Sequence, residues 1–228
     1  MPKSWLPAVV PQEGNKGDFI DWGMAISPNP WTNTTHDWAA AVDTAHLASI
    51  AADPGRYAPG GVWHLLLEVA AHPVDEAEDR GARGLCTVTA HADGSWSVAD
   101  DGRGTDTRLD ASGQPVKKPV MSTKDLRFFD GPASEMLPDG FARRGMSVVS
   151  ALSTWLVHTN RRLDGSWTQR YERGVPAALL PVPADGTTGT TVRFMPGREV
   201  PGGIPPERET LQRLSRAWPQ LEWRFRQD

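Results

Sequence analysis

Apolar residues recur at helical spacing in two stretches of the first third of the chain. The first stretch, residues 35–53, has Thr35 as its predicted N-cap, and a Pro-Gly pair follows it. The second stretch reads GGVWHLLLEVAAH and predicts another helix. Pro73 comes directly after it. Because proline lacks an N–H and clashes one turn back, we expect this helix to kink or end near His72.

The next patterned segment alternates as a strand does and predicts a β-hairpin. It covers residues 85–100, and its turn is predicted at Asp93-Gly94, a pair that favours tight hairpin turns. Later segments predict a helix that runs into a strand, two antiparallel strands, a further strand, and a helix followed by a short strand. In order, these are residues 145–159, 165–181, 189–197 and 205–227. The pattern indicates an α+β two-layer sandwich, with helices on one face of a mixed, mostly antiparallel sheet.

Two segments lack a clear pattern. Residues 1–34 are rich in Pro, Gly, Asn and Trp, and they predict an irregular arm. Residues 35–228 are predicted to form the folded domain, in which residues 105–144 are loop-rich. We therefore expect one large domain with an N-terminal appendage.

The composition argues against several classes of protein. The net charge of −4 comes without a basic stripe, so no nucleic-acid partner is expected. No apolar run reaches the ~18 residues of a membrane span. Cys86 is the single cysteine, which excludes an internal disulfide and favours a reducing cytoplasm. Most of the ten tryptophans should be buried, and one or two could line a ligand pocket.

Five motifs then occur in an order that is specific as a set. They are ADPGRYA, WHLLLEVAAHPVDEA, DGSWSVADDGRG, GMSVVSALS, and the pair YERGVP and TGTTVRFMP. Together they resemble the ATPase domain of the gyrase B family, within the GHKL superfamily (Bergerat fold). The resemblance covers roughly residues 50–225. It implies the GHKL fold and an adenine-nucleotide pocket.

The resemblance assigns a base-binding role to the loop after the hairpin. By resemblance, Asp100 accepts a hydrogen bond from the adenine amino group, and Thr190 supports Asp100 and a bound water. Gly102 and Gly104 would let the backbone approach the base without a Cβ in the way. Taken alone, Asp101-Gly102 could equally be a simple turn. The ordered set of motifs favours the binding role.

Other positions depart from the family pattern. Glu68 stands where the family keeps its general base, but the family's following Asp-Asn pair is Ala71-His72 here. That Asn is the family's protein ligand for Mg²⁺, an ion that prefers oxygen donors, and imidazole is a poor replacement. We therefore predict that Mg²⁺ binding is doubtful and that ATP binding, if it occurs, is weak.

The phosphate loop departs as well. The family writes Gly-Gly-Leu-His-Gly-Val-Gly where this chain has residues 139–145, and Arg143 replaces a middle glycine. Arg143 and Arg144 could clamp an anion through their guanidinium groups, or they could be solvated surface charge. The segment STKDLRFFDGPASEMLP lacks the family's Gly-Gly lid hinge.

Three polar residues of the second helix form a candidate acid–base cluster. Glu68, His72 and Asp75 are spaced by four and seven residues, which places them on one side of a helix. Glu68 and His72 are the candidate catalytic residues, and Asp75 is a candidate ligand contact. The alternative is a polar cluster at a helix end. Glu68 and His72 are too few for a metal site, so none is predicted, and His64 is expected to pack beside Trp63 as a core residue.

Two functions of different classes stay open. One is a nucleotide-binding module that holds an adenine-like or other planar small molecule, has weak or no Mg-ATPase activity, and acts through a protein partner. The other is a repurposed metal-independent enzyme, for example in natural-product biosynthesis, that uses Glu68, His72 and Asp100 as acid–base residues. The sequence ends where the family's transducer domain would begin, so no topoisomerase activity is expected of this chain alone.

Overall fold

The computed structural model describes residues 42–105, 135–163, 165–201, 209, 212–213 and 216–228. Thr35 and the predicted arm boundary at residue 34 lie outside these ranges, as does most of the helix predicted before residue 216. The described helices are α1 (Thr44–Ala52), α2 (Pro54–Tyr57), α3 (Val62–Arg80) and α4 (Met146–Ala151). The described strands are β1 (Gly84–Ala90), β2 (Trp96–Asp100), β3 (Ser153–Arg161), β4 (Trp167–Glu172), β5 (Val175–Pro181), β6 (Gly189–Pro196) and β7 (Leu221–Gln227).

The two short helices before the site begin at aspartate caps. The side chain of Asp43 accepts a hydrogen bond from the backbone N–H of His46, and α1 begins directly after it. Asp53 caps α2 in the same way, and Pro54 occupies the first helical position, where its missing N–H costs nothing. The predicted start of the first helix, with Thr35 as its N-cap, is therefore wrong, because Val42 and Asp43 are not helical and the Asp43 side chain is the cap.

The long helix α3 continues through Pro73 and ends at Arg80, so the predicted end near His72 is wrong, and the alternative of a kink there stays a prediction. A proline inside a helix costs ~3 kcal/mol or more. Here Pro73 is itself buried, and the buried side chains of Val69 and Val74 pack in the core on both sides of it. The helix stops at Gly81, whose φ of 58° is the left-handed conformation that glycine adopts most readily.

The described strands form one seven-stranded sheet in the order β5-β4-β3-β6-β2-β1-β7. Neighbouring strands are antiparallel except β1 and β7, which run parallel. The hairpin predicted at Asp93-Gly94 joins β1 to β2 and is confirmed, and so are the strand after residue 152 and the last strand of the chain. The predicted α+β fold with a mixed, mostly antiparallel sheet is thus confirmed.

A single main core joins the helices to the sheet and fixes the position of the site. Fully buried side chains of α3 and α4, such as Leu65 and Val148, meet Leu156 and Phe194 of the central strands. Burying one such side chain is worth about 1.5–3 kcal/mol. This packing holds α3 over β1 and β2, so the polar side of α3 faces the loops that follow β2 and precede α4. None of the helices in the described segments is both long and apolar enough to cross a bilayer.

Candidate functional site

The turn after β2 holds the side chain that is predicted to recognise a base. The Oδ1 atom of Asp100 accepts a hydrogen bond from the backbone N–H of Gly102 at 2.8 Å. Its Oδ2 atom accepts from the backbone N–H of Thr190 at 3.3 Å and from the Thr190 hydroxyl. Burial raises the pKa of Asp100 above its ordinary value, although these hydrogen bonds act in the opposite direction. The structure brings these three residues together, and their role in ligand binding stays a prediction.

Two glycines allow close packing at this turn. A Cβ on Gly102 would lie 2.7 Å from Cγ of Glu76, well inside van der Waals contact. Gly104 has a φ of 78°, and a side chain there would collide with the backbone oxygen of Arg161. Both positions therefore need glycine for packing, independently of any ligand.

Arg103 fastens the same turn to α3. Its backbone N–H and its Nε both donate to Oε1 of Glu76, at 3.0 and 2.7 Å, and its Nη2 donates to Oε2 at 2.9 Å and to Asp79. Bidentate pairing of a guanidinium with a carboxylate fixes distance and orientation together. The turn that carries Asp100 is thus anchored to the helix that carries Glu68.

The loop before α4 is held by the carboxylate of Glu68. One carboxylate oxygen accepts the backbone N–H of Arg144 at 2.5 Å, and the other accepts the backbone N–H of Gly145 at 2.8 Å. The Glu68 side chain is 0% exposed. Successive backbone N–H groups that point at one anion form the kind of cradle that phosphate loops use. In this structure a carboxylate of the chain itself occupies that cradle.

His64 bridges two carboxylates at this point. Its Nε2 lies 3.3 Å from Oε1 of Glu68, one helical turn away, and its Nδ1 lies 2.8 Å from Oδ2 of Asp139. Burial alone would lower the pKa of His64, but Asp139 and Glu68 outweigh it and raise the pKa to about 9. His64 is buried as expected, but its main contacts are ionic, so the simple packing beside Trp63 was an incomplete interpretation.

Arg143 is the second buried cation of the site. Its Nη1 and Nη2 donate to the two oxygens of Asp75 at 2.9 and 2.7 Å, and Nη1 also donates to Glu135 at 2.8 Å. Burial acts to lower the pKa of Arg143, but these two carboxylates reverse the effect and raise it. The Arg143 side chain is 0% exposed, so the alternative of a solvated surface charge is wrong.

Comparisons with curated proteins find relatives that cover about two thirds of this chain. The DNA gyrase B protein of Mycolicibacterium smegmatis is 38% identical over 159 residues, which are 68% of this chain and 23% of that protein. The DNA topoisomerase 4 B protein of Staphylococcus epidermidis is 34% identical over 160 residues, 68% of this chain and 24% of that protein. The chain is a gyrase-B-like GHKL domain. It spans about a quarter of the length of the curated relatives it matches.

A third relative shows the same coverage. The DNA gyrase B protein of Archaeoglobus fulgidus is 36% identical over 166 residues, which are 68% of this chain and 26% of that protein. No protein-family model matches the chain. The GHKL assignment therefore rests on these relatives and on the confirmed fold.

The donor set of this GHKL domain does not fit Mg²⁺ at the position that the family resemblance indicates. Glu68, one helical turn before His72, already accepts two backbone N–H groups. His72, one turn further along and half-buried, offers a nitrogen, which Mg²⁺ disfavours. Within the described ranges, no group of three or more His, Cys, Asp or Glu side chains is placed to hold a metal ion.

Glu68 and Asp75 of the predicted acid–base cluster contact different groups in the structure. Glu68 contacts the backbone at residues 144 and 145, whereas Asp75 contacts the Arg143 side chain. His72 lies between them on α3, and its catalytic role stays a prediction.

The site also contains residues that sequence reasoning missed. Glu76 and Arg103 lie within the motif segments DEA and DGRG, but a single sequence does not show that their side chains form an ion pair. His64 had a signal in its spacing of four from Glu68, which permits contact on a helix. Asp139 and Glu135 sit in loop-rich sequence, where spacing carries no geometric information, so only the folded chain reveals them. These missed residues support the loops together with the predicted residues Glu68, Asp75 and Arg143.

Proposed function

We propose that this domain binds an adenine-like or other planar small molecule beside Asp100, in the cytoplasm, with weak or no Mg²⁺-dependent ATP hydrolysis. Membership of the GHKL superfamily supports a nucleotide-binding domain. The observation that carries the proposal is a contrast. The base-end contacts of Asp100 with Gly102 and Thr190 are intact, whereas the carboxylate of Glu68 is held by the backbone of the phosphate loop.

Asp100 has the capacity to bind one further donor. A carboxylate offers about four lone-pair sites. The backbone N–H of Gly102, and the backbone N–H and hydroxyl of Thr190, use three of these. The remaining site suits an N–H or amino group at the edge of a flat heterocycle.

Weak ATP hydrolysis follows from the surroundings of Glu68. A general base needs an oxygen within hydrogen-bond reach of the proton that it abstracts. Here each carboxylate oxygen of Glu68 already accepts a backbone N–H, and the imidazole of His64 lies against one of them. An attacking water would therefore compete with three groups of the chain for this carboxylate. A protein partner that uses the bound state as a signal fits a domain of this kind better than turnover does.

A metal-independent enzyme is the second candidate, because the buried pair of Glu68 and His64 is an ionisable unit that a simple binding module does not need. In that case Glu68, His72 and Asp100 would move protons on the bound heterocycle.

Calorimetric titration of adenosine tests the proposal. Asp100→Asn keeps the shape of the side chain but replaces an acceptor with a donor, so binding should weaken by roughly 1–3 kcal/mol, or about one to two decades in Kd. Asp93→Asn is the matched control, because Asp93 lies in the exposed hairpin turn and contacts Ser95. Equal affinity of wild type and Asp100→Asn would place the ligand elsewhere.

A further inference from the structure

The backbone N–H groups that a phosphate would need are already bonded within the chain. Glu68 accepts from Arg144 at 2.5 Å and from Gly145 at 2.8 Å. Hydrogen bonds to a charged acceptor are about twice as strong as neutral ones. A phosphate that enters the loop must therefore compete with an anion that is attached to the protein, and which loses little entropy on binding.

Displacement of Glu68 is also unfavourable for the carboxylate itself. The side chain is 0% exposed, so it would leave two N–H donors without gaining contact with bulk water. A buried charge that loses its partners is strongly destabilised. Its only other described ionic contact, to His64, lies at 3.3 Å, and His64 is shared with Asp139 at 2.8 Å.

The loop is fastened on its other side as well. Arg143, at the position of a family glycine, spreads its guanidinium over Asp75 and Glu135. Opening the loop to admit a phosphate would break this buried ion pair. The same contacts prevent the Nη atoms of Arg143 from serving as an anion clamp.

The two buried cations of this end of the site are already engaged by carboxylates of the chain. His64 lies between Glu68 and Asp139, and Arg143 lies between Asp75 and Glu135. A polyphosphate would have to compete with these carboxylates for either cation, whereas a neutral ligand has no charge to balance.

We infer that the phosphate end of this pocket is closed by the chain's own Glu68 and Arg143, and that the ligand is an uncharged heterocycle of the nucleobase or nucleoside class. This inference rests on the proposed function, because it takes the Asp100 end as the binding site. The site would then exclude nucleotides because of their phosphate groups, through the contacts that Glu68 and Arg143 make at the loop before α4.

The test compares adenosine, ATP and inorganic tripolyphosphate on wild type, Glu68→Ala and Glu68→Gln. On wild type, adenosine should bind at least as tightly as ATP, and tripolyphosphate should not bind measurably. Glu68→Ala frees both N–H groups, so the ratio of ATP affinity to adenosine affinity should rise at least about tenfold, and tripolyphosphate binding should appear. Glu68→Gln, which keeps an acceptor oxygen, should give a smaller rise and serves if the alanine variant does not fold.

The control is Glu172→Gln, which removes an exposed carboxylate that pairs with Arg170 on β4 and is not among the contacts of Glu68 or Arg143. If it raises the affinity ratio as much as Glu68→Ala, general charge and not loop occupancy is responsible, and the closure is refuted. Wild type that binds ATP tenfold more tightly than adenosine also refutes it. If adenosine binds no variant while tripolyphosphate binds Glu68→Ala, the closure stands and the proposed function fails.

Discussion

The guanidinium of Arg143 donates hydrogen bonds to both carboxylate oxygens of Asp75, at 2.9 and 2.7 Å, although the Arg143 side chain has no exposed surface. Sixty-eight residues separate the two along the chain. This ion pair connects the loop before α4 to α3, so it stabilises the arrangement of the site.

Removal of Arg143 should therefore destabilise the whole domain. Arg143→Ala removes a fully buried guanidinium that donates to Asp75 and Glu135, and losing hydrogen bonds to charged groups costs about 1.5–3 kcal/mol. The free energy of unfolding, from urea titration, measures the effect. Arg224→Ala is the control, because it breaks an exposed pair with Glu222 and should change stability by less than about 1 kcal/mol. Similar losses in both variants would contradict the structural role of Arg143.

Stability should fall at alkaline pH because of His64. Its pKa is raised from the ordinary 6.5 to about 9 in the folded chain. Its contribution is thus complete below about pH 6.5 and is lost as the pH rises through about 9, and it amounts to at most about 3 kcal/mol. Urea midpoints measured from pH 6 to pH 10 should decline for wild type and decline less for His64→Gln. Parallel curves for the two proteins would show that His64 is not charged in the native state.

ATP affinity should respond little to Mg²⁺. His72 offers a nitrogen where Mg²⁺ prefers oxygen, and Glu68 is engaged with the loop. Calorimetric titration of ATP with millimolar Mg²⁺ and with a chelator is the measurement, and the two affinities should agree within about threefold. Tight binding that requires Mg²⁺ would show that the pocket rearranges and that the donor set is completed from elsewhere.

Catalysis, if the domain has any, should depend on α3. Glu68→Gln and His72→Ala should each lower turnover at least about tenfold, since general acid–base help is typically worth 10²–10⁴-fold. Ser49→Ala is a suitable control, because the Ser49 hydroxyl donates to the backbone oxygen of His46 in its own helix α1. Rates against pH for the three variants form the test, and unchanged rates for both α3 variants would make this helix a scaffold.

The sheet was largely predictable because each strand carries its own signal. Alternation around Asp93-Gly94 defines the β1–β2 hairpin without any knowledge of the rest of the chain. Pro73 shows the limit of local reasoning, since its local cost is real but tertiary packing of α3 exceeds it. Local patterns therefore predicted which helices and strands are present better than they predicted the residues at which these begin and end.

In the candidate site, too, some contacts could be predicted from the sequence and others could not. The order of the motifs predicted that Thr190 supports Asp100, and in the structure the backbone N–H of Thr190 donates to Asp100. The engagement of Glu68 with backbone N–H groups could not be predicted, because a backbone donor has no sequence signature. Arg143 was ambiguous for a related reason, since only its carboxylate partners on other elements determine that it is buried.

The parallel pairing of β1 with β7 also has a consequence for the synthesis of this protein. Gly84 pairs with Leu221, so the outer edge of β1 acquires its neighbour only when the last strand has left the ribosome. At ~5–20 residues per second, that edge stays open for roughly 7–30 seconds after β1 emerges. During this interval the nascent chain exposes the unpaired hydrogen-bonding groups of this β1 edge, which can pair with another chain and aggregate.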